Sequence, residues 1–277
     1  MITAEIFDIE RNSFVDGPGI RTTVFFKGCN LKCKWCHNPE SQESASEMMF
    51  HGQKCVGCGK CRQICPTPHQ CSLCGKCTLY CPSGAREICG EKYTIDEVFS
   101  EIIKDKTYYD NSGGGVTFSG GECMLQMHFL LQITMKCKEA GIHTAIDTAG
   151  HVPWRIFDFV LPNTDLVLYD VKTMDNELHR KYTGVENTLI LENLKKLLKS
   201  SVDVWVRVPV IGGVNDNEAE FEKLRDFFKE NGYPQKLELL PYHAMGEHKY
   251  IALGNEAETF KVPDKETIEK FKNIVLK

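Results

Sequence analysis

The chain has 277 residues, 33 Lys and Arg against 38 Asp and Glu, and a net charge of −5. That length provides one or two domains with a sizeable core and excludes a small disulfide-stapled fold. The acidic balance offers no basic field to a nucleic-acid backbone, which disfavours a dedicated nucleic-acid binder.

The N-terminal segment carries charges throughout and lacks the apolar region of a signal peptide, and no apolar run is long enough to span a membrane. We therefore expect a cytoplasmic protein without membrane contact. In that reducing compartment the 14 cysteines are predicted to be metal ligands before they are disulfides. Three lie within 29–36 and eight within 55–81, while Cys89, Cys123 and Cys137 stand apart.

Six β-branched apolar runs predict strands, and segments of helical periodicity with charged faces lie between most of them. The strands are predicted to begin near Thr22, Gly115, His143, Asp165, Val202 and Lys236. The helical segments are 94–106, 126–140, 188–199, 218–229 and 265–276. This alternation predicts a parallel sheet and fits either a doubly wound sheet or a (β/α) barrel.

Polar residues end several of these strands, which favours a barrel whose strand ends converge on one mouth. They are Ser119, Asp147, Asp170, Arg207 and His243. The alternative is that strand ends are simply polar. We predict an α/β fold, an open, partial (β/α)6 TIM-type barrel.

The connection between the first two strands is far longer than usual, which indicates an insertion. Residues 50–91 are rich in cysteine and poor in large aliphatic residues, so this piece needs ligation rather than a hydrophobic core. We predict a second, metal-dependent domain over 50–91, inserted into a barrel formed by 1–49 and 92–277.

The insertion contains C-x2-C-x2-C-x3-C-P twice, starting at Cys55 and Cys71. This is the bacterial ferredoxin pattern, in which the fourth cysteine of each run binds the other cluster. Paired C-x2-C elements also form zinc sites, but three equally spaced cysteines followed by Cys-Pro favour iron–sulfur cubes. One 4Fe–4S cluster is assigned to Cys55, Cys58, Cys61 and Cys81, and the other to Cys65, Cys71, Cys74 and Cys77.

A third cysteine site follows the first strand, where Cys29, Cys33 and Cys36 have C-x3-C-x2-C spacing with no fourth cysteine nearby. Three thiolates on a four-iron cube leave one iron open, and an open coordination position can bind a small molecule. A purely structural metal loop is the alternative.

Residues 16–39, DGPGIRTTVFFKGCNLKCKWCHNP, resemble the signature of the glycyl-radical-enzyme activating enzymes, a family of radical S-adenosylmethionine enzymes. The resemblance extends over nearly the whole chain. It continues through GVTFSGGE at 115–122, DTAG at 147–150, LYDVK at 168–172, VRVPV at 206–210 and LLPYHAMG at 239–246.

The resemblance implies an oxidoreductase of anaerobic metabolism. Cys29, Cys33 and Cys36 would hold a cluster whose open iron chelates S-adenosylmethionine. Reductive cleavage would yield a 5'-deoxyadenosyl radical that abstracts hydrogen from a backbone glycine of a partner enzyme. Two alternatives are a radical enzyme that modifies another peptide or small substrate, and an electron-transfer protein with three clusters.

The resemblance also assigns residues. The implied S-adenosylmethionine site comprises Trp35, His37, Ser119, Gly120, Gly121, Glu122, Asp147, Asp170, Val171, Lys172, Arg207 and His243. Asp147, Thr148 and Asp170 would hold a cation beside it, although helix capping also explains Asp147. Asp16 would contact the partner's glycine loop, although Asp-Gly-Pro is also ordinary turn chemistry.

The implied partners are a glycyl radical enzyme and, as reductant, flavodoxin or ferredoxin. Ferredoxin-type clusters in the insertion could relay electrons. Among partner enzymes, general resemblance favours a hydroxyproline dehydratase over a glycerol dehydratase or a choline lyase.

Overall fold

The computed structural model describes residues 2–67 and 70–277. The strands are β1 Thr3–Ser13, β2 Arg21–Phe26, β3 Glu47–Phe50, β4 Arg86–Cys89, β5 Glu91–Thr94, β6 Gly115–Gly120, β7 His143–Thr148, β8 Leu166–Asp170, β9 Asp203–Val210 and β10 Lys236–Pro241. Eight of them form one sheet in the order β10-β9-β8-β7-β6-β2-β1-β5, and β3 pairs with β4 in a separate sheet.

The described residues also form eleven α-helices. They are α1 Lys60–Gln63, α2 Lys76–Leu79, α3 Ile95–Ile102, α4 Lys106–Ser112, α5 Met127–Glu139, α6 Trp154–Val160, α7 Asn176–Thr183, α8 Thr188–Leu197, α9 Glu218–Asn231, α10 Glu247–Ala252 and α11 Lys265–Val275. Short 3-10 helices cover Pro39–Ser41, Gly52–Lys54, Ile103–Asp105, Cys123–Gln126, Leu161–Asn163 and Ala244–Gly246. No helix in the described ranges is long and apolar enough to cross a membrane.

The six predicted strands are confirmed as β2 and β6 to β10, which run parallel to one another. Their interiors are apolar and buried, as a sheet covered by helices requires. The sheet is open, with β10 and β5 as its end strands. The carboxyl ends of the parallel strands therefore meet along one edge, where ligands bind in such sheets.

Two antiparallel strands extend this sheet beyond the prediction. Strand β1 pairs with β2 and β5 pairs with β1. In β1 only Ala4, Ile6 and Ser13 are buried, so its apolar alternation is too weak to indicate a strand. Pairing with a neighbouring strand forms β1, and local sequence does not reveal that pairing.

The core of the sheet is aromatic and aliphatic. The ring of Phe26 contacts those of Phe118 and Phe129 edge-to-face, at centroid distances of 6.2 and 5.9 Å. Such pairs add to the free energy of burial. Helix α3 packs near this core and begins with a capping box, in which Thr94 and Glu97 satisfy each other's backbone amides.

The segment between β3 and β4 contains almost no core of its own. Among its described residues, 51–67 and 70–84, none is buried. Helices α1 and α2 each begin after a glycine in the left-handed region, Gly59 with φ 71° and Gly75 with φ 73°. At the base, Met49 and Cys89 pack with other apolar residues of the main body. This exposure agrees with the composition of the segment, which is poor in large aliphatic residues.

We expect Phe118→Ala to lower the free energy of unfolding by about 3–5 kcal/mol, because it removes a fully buried ring from the aromatic core. The half-exposed Phe159 is the control, and Phe159→Ala should change stability by no more than about 0.5 kcal/mol. Urea denaturation measures both. Equal losses would contradict this description of the core.

Candidate functional site

A cavity lies at the carboxyl ends of the parallel strands, where ligands bind in open α/β sheets. Its walls come from the cysteine loop, from the turn at 41–42, and from the ends of β6, β7 and β8 with the loops that follow them. The lining residues are Cys29, Leu31, Cys33, Cys36, Ser41, Gln42, Ser119, Gly120, Gly121, Asp147, Thr148, Ala149, Asp170 and Lys172. The structure thus brings together all three cysteines of the first loop and seven of the other predicted site residues.

The cysteine loop is held by its backbone. The amide of Gly28 donates to the carbonyl of Ser41 at 2.7 Å, and the amide of Lys32 donates to the carbonyl of Thr183 at 2.7 Å. The amide of Leu31 donates to Sγ of Cys29 at 3.4 Å. Two separate parts of the chain therefore fix the loop that carries the three thiols.

Two glycines permit a close crossing beneath this loop. A Cβ on Gly121 would lie 2.2 Å from the carbonyl oxygen of Gly28, and one on Gly120 would lie 2.4 Å from the amide of Phe26. The amide of Gly121 donates to the carbonyl of Phe26 at 2.8 Å. The resemblance implied that these glycines belong to the S-adenosylmethionine site. In the structure their missing side chains let β2 and the start of the cysteine loop approach the backbone closely.

Glu122 is fully buried behind the cavity and does not line it. Its carboxylate accepts from the hydroxyl of Thr148 at 2.7 Å and from the amides of Ala149 and Met124 at 3.2 and 3.3 Å. Burial raises the pKa of Glu122 to about 7, although these three hydrogen bonds lower it. Glu122 therefore joins the two loops after β6 and β7. This contact also occupies the Thr148 hydroxyl, which was predicted as a cation ligand.

The cavity wall carries two carboxylates on adjacent strands. Ser119 donates to Asp147 at 2.7 Å, and Lys172 pairs with Asp170. Burial, then the charge of Asp170, raises the pKa of Asp147 to about 6, while Arg207 opposes that rise. Burial lowers the pKa of Lys172, but Asp170, Cys33 and Asp147 together outweigh burial and the net shift is upward. The site thus holds an ammonium and carboxylates that suit a zwitterionic ligand.

Arg207 links this cavity to the loop before β2. Its guanidinium lies 3.7 Å from Asp147 and 3.1 Å from Glu238, and it donates to the backbone carbonyl of Val15 at 2.5 Å. The expectation that Arg207 ends its strand was wrong. It lies inside β9, level with Asp170 at the end of β8, because β9 continues three residues further.

Asp16 lies in the loop that Arg207 holds. Its carboxylate accepts from the hydroxyls of Ser13 at 2.6 Å and Thr23 at 2.8 Å, and its carbonyl accepts from Thr117 at 2.7 Å. Its neighbours Phe14 and Val15 are 72% and 78% exposed. The loop thus combines a fixed acidic residue with an apolar surface open to a partner.

Three further predicted residues, Trp35, His37 and His243, lie outside the main cavity. Trp35 is buried among Tyr182 and Phe260 and so supports the loop from behind. His37 and His243 line a small neighbouring pocket, with ring centroids 4.7 Å apart. Burial, then Lys249 and His243, lowers the pKa of His37 to about 4.

The expectation that His243 ends its strand was wrong, because β10 ends at Pro241 and His243 lies beyond it with an exposed side chain. Val171 is buried, and its amide donates to the carbonyl of Arg207 at 2.8 Å. Val171 therefore contributes backbone order rather than a cavity wall.

Four lining residues were not predicted from the sequence: Leu31, Ser41, Gln42 and Ala149. Ala149 lies within the DTAG segment at 147–150, which carries part of the family resemblance. Ser41 and Gln42 reach the cavity because the 3-10 turn after Asn38 folds the chain back beneath the cysteine loop. No pattern in the sequence predicts that this turn brings Ser41 and Gln42 to the cavity.

The three loop thiols fit a metal cluster by their chemistry. Burial raises the pKa of Cys29 to about 12 and raises the pKa of Cys33 and Cys36 as well. Without a metal these thiols would therefore stay protonated, whereas coordination deprotonates a thiol outright. The cavity beside them leaves room for a further ligand.

In the insertion, Cys55, Cys58, Cys61 and Cys81 line one cavity together with Arg86. Nε of Arg86 is buried without a hydrogen-bond partner among the described residues. A buried donor facing four thiols fits a sulfur-rich anionic group. Among the described residues, no three His, Cys, Asp or Glu side chains lie close enough together to hold a single metal ion. A cube is larger, since each of its thiolates binds a different iron.

The second predicted set lies partly beside the first. Burial raises the pKa of Cys77, with smaller contributions from Cys71 and Cys65, while the nearby Arg86 opposes the rise. Backbone amides, chiefly that of Lys76, lower the pKa of the exposed Cys74.

Comparisons with known proteins agree over most of the chain. Residues 23–227 match the radical SAM superfamily. The chain is 42% identical over 287 residues to the trans-4-hydroxy-L-proline dehydratase activating enzyme of Clostridioides difficile, an alignment that covers 97% of this chain and 95% of that protein. It is 42% identical over 272 residues to the choline trimethylamine-lyase activating enzyme of Oleidesulfovibrio alaskensis, covering 91% and 88%.

A solved domain of pyruvate-formate lyase-activating enzyme from Bacteroides vulgatus superposes with a TM-score of 0.51 at 32% identity, covering 59% of this chain and 93% of that one. The family match, the near full-length identities and the parallel sheet point the same way. The chain belongs to the radical SAM superfamily and, within it, to the glycyl-radical-enzyme activating enzymes.

Proposed function

We propose that this chain activates a glycyl radical enzyme in the cytoplasm of an anaerobe, with a 4Fe–4S cluster on Cys29, Cys33 and Cys36 and S-adenosylmethionine beside it. The cavity carries the proposal, because it gathers three thiols, a glycine-lined wall and paired charges at one edge of the sheet. When bound, the cluster supplies the electron for reductive cleavage of S-adenosylmethionine, whose 5'-deoxyadenosyl radical takes hydrogen from the partner's glycine.

The residues of the chain bind and orient. The carboxylates of Asp147 and Asp170 suit the amine of the methionine moiety or a cation beside it. The ammonium of Lys172 suits its carboxylate. Gly120 and Gly121 keep the wall narrow enough for backbone contacts, and Arg207 neutralises Asp147 while it holds the carbonyl of Val15.

His37, Trp35 and His243 lie behind or beside the cysteine loop. Their proposed role is to shape the end of the site that takes the adenosyl group. The exposed Phe14–Asp16 segment is proposed to receive the partner's glycine loop, because the guanidinium of Arg207 connects it directly to the cavity.

The insertion is proposed to be a ferredoxin-like domain with two further 4Fe–4S clusters, which brings the total to three. Cys55, Cys58, Cys61 and Cys81 around one cavity, with the unpartnered Nε of Arg86, support the first of these. The repeated spacing supports the second, on Cys65, Cys71, Cys74 and Cys77. Flavodoxin or ferredoxin is the proposed reductant.

The proposed partner is a trans-4-hydroxy-L-proline dehydratase. The activating enzyme named for that dehydratase is 42% identical to this chain and aligns with 97% of it. The one named for choline trimethylamine-lyase is 42% identical over 91% of this chain, and the one named for isethionate sulfite-lyase is 38% identical over 99%. Identity and coverage taken together favour the dehydratase.

We expect Cys33→Ala to reduce 5'-deoxyadenosine formation to background when the reconstituted protein is given dithionite and S-adenosylmethionine, because two thiols cannot hold the cluster of the cavity. Cys137→Ala, which removes a buried thiol on α5, should leave the yield unchanged. Chromatography of the nucleoside, with iron analysis, measures both. Unchanged cleavage in Cys33→Ala would contradict the proposed cluster site.

We expect Asp16→Ala to lower glycyl radical formation on trans-4-hydroxy-L-proline dehydratase by on the order of tenfold, equivalent to about 1.4 kcal/mol, while partner-free cleavage of S-adenosylmethionine is spared. The reason is that Asp16 lies in the partner-facing loop. Electron paramagnetic resonance of the radical provides the measurement, and Asp8→Ala on β1 is the control. Equal loss of both activities would refute the assignment. Radical formed on choline trimethylamine-lyase alone would refute the partner.

We expect Arg86→Met to lower the reduction potential of a cluster in the insertion, because reduction adds negative charge that the guanidinium stabilises. The exposed Lys92 on β5 provides the control, and Lys92→Met should leave every potential unchanged. An anaerobic redox titration followed by electron paramagnetic resonance gives the potentials, and iron analysis confirms loading. An unchanged or raised potential in fully loaded Arg86→Met would show that Nε does not face the cluster.

A further inference from the structure

The insertion carries an unusual surface charge. Residues 51–86 contain five of the 33 Lys and Arg residues and none of the 38 Asp and Glu residues, so the rest of the chain carries 28 positive and 38 negative charges. A strongly acidic body thus bears one acid-free, cationic appendage. Such separation of charge directs association with a charged partner.

Four of the five cations face solvent: Lys54, Lys60, Arg62 and Lys76. None of the four forms an ion pair or a side-chain hydrogen bond with another described residue. Elsewhere several exposed lysines are paired, as in Lys32 with Glu43 and Lys104 with Glu101. The fifth cation, Arg86, lines the cysteine cavity instead. Charge neutralisation of the cysteine thiolates therefore explains the presence of Arg86. It does not explain the four solvent-facing cations.

Exposed apolar side chains accompany these cations. Val56 is 67% exposed, Leu79 82% and Tyr80 62%. Leu79 ends α2, three residues after Lys76, and α2 packs beside α1, which begins at Lys60. An aromatic and aliphatic centre with a charged surround is the usual composition of a protein interface.

The internal repeat makes the arrangement symmetrical. Lys60 and Lys76 occupy the same place in two Cys-Gly-Lys-Cys turns, each directly after a left-handed glycine. Cys58 and Cys74, one residue before those glycines, are exposed. The cationic surface therefore lies where the cysteines of the insertion come closest to solvent.

We propose that this surface, formed by Lys54, Lys60, Arg62, Lys76, Val56, Leu79 and Tyr80, docks an acidic one-electron carrier protein. The inference rests on the proposed function, because only a protein that consumes electrons needs such a partner. Charge complementarity selects an acidic protein, and the neighbouring exposed cysteines select an electron carrier rather than the glycyl radical enzyme. The cationic groups guide encounter and the apolar centre retains the bound carrier.

The test compares two charge reversals of equal size in the full, iron-loaded chain. Lys60→Glu with Lys76→Glu alters the proposed surface. Lys229→Glu with Lys272→Glu alters exposed, unpaired positions on α9 and α11 by the same net charge. Anaerobic titration calorimetry gives the Kd for purified flavodoxin, and for a bacterial ferredoxin in a parallel arm, over a series of salt concentrations.

We expect the first pair to weaken binding of at least one carrier by about tenfold or more and to flatten its salt dependence, since rim charges act mainly through electrostatic steering. The control pair should change Kd less than about twofold. Dithionite-driven formation of 5'-deoxyadenosine should be unaffected by either pair. This readout tests the proposed function separately from carrier binding. If the unmodified chain formed no 5'-deoxyadenosine, the proposed function would be refuted, whereas the Kd for the carrier would still be measurable.

Unchanged Kd and salt dependence for both carriers, with iron content intact, would overturn the proposal. Loss of affinity for the glycyl radical enzyme instead of the carriers would also overturn it. If the first pair lowers the iron content, Lys54→Ser with Arg62→Gln alters the same surface outside the Cys-Gly-Lys-Cys turns, and the same two outcomes decide.

Discussion

The site depends on one crossing of two backbones. Gly121 lies so close to Gly28 that no side chain fits between them, and the amide of Glu122 donates to the carbonyl of Gly28 at 2.8 Å. This contact fixes the cysteine loop to the end of β6. Glu122 then turns inward and binds Thr148, so that the same short segment also fixes the loop after β7. The three thiols, the glycine wall and Asp147 are placed by this one junction.

Charge inside the site is balanced across strands rather than in isolated pairs. Buried carboxylates are costly unless they meet cations or donors. Here Asp147, Asp170 and Glu238 lie around Arg207, and Lys172 covers Asp170 from the other side. The same guanidinium binds the carbonyl of Val15, so Arg207 contacts both the cavity carboxylate of Asp147 and the loop that carries Asp16. Arg207 therefore connects the cavity to the exposed Phe14–Asp16 segment.

The sequence predicted what local patterns encode. The six parallel strands have apolar β-branched interiors. The spacing of Cys29, Cys33 and Cys36 places them in one loop, and all three line the same cavity. It did not reveal β1 and β5, whose strand form depends on neighbours, or the position of Arg207 inside β9. Ser41 and Gln42 were missed because a turn returns them to the cavity from a distance that spacing does not encode.

One helix, α10, contacts both the base of the insertion and the loop that carries Cys29, Cys33 and Cys36. Ala252 of α10 packs with Met49 and Cys89 at the base of the insertion. On the same helix, the hydroxyl of Tyr250 donates to the carbonyl of Cys33 at 3.3 Å, and Lys249 pairs with Glu40 at 2.6 Å. A segment without a core of its own is thus attached at its base to the helix that also contacts the cysteine loop. Because α10 contacts both, the base of the insertion and the backbone of Cys33 share one supporting element.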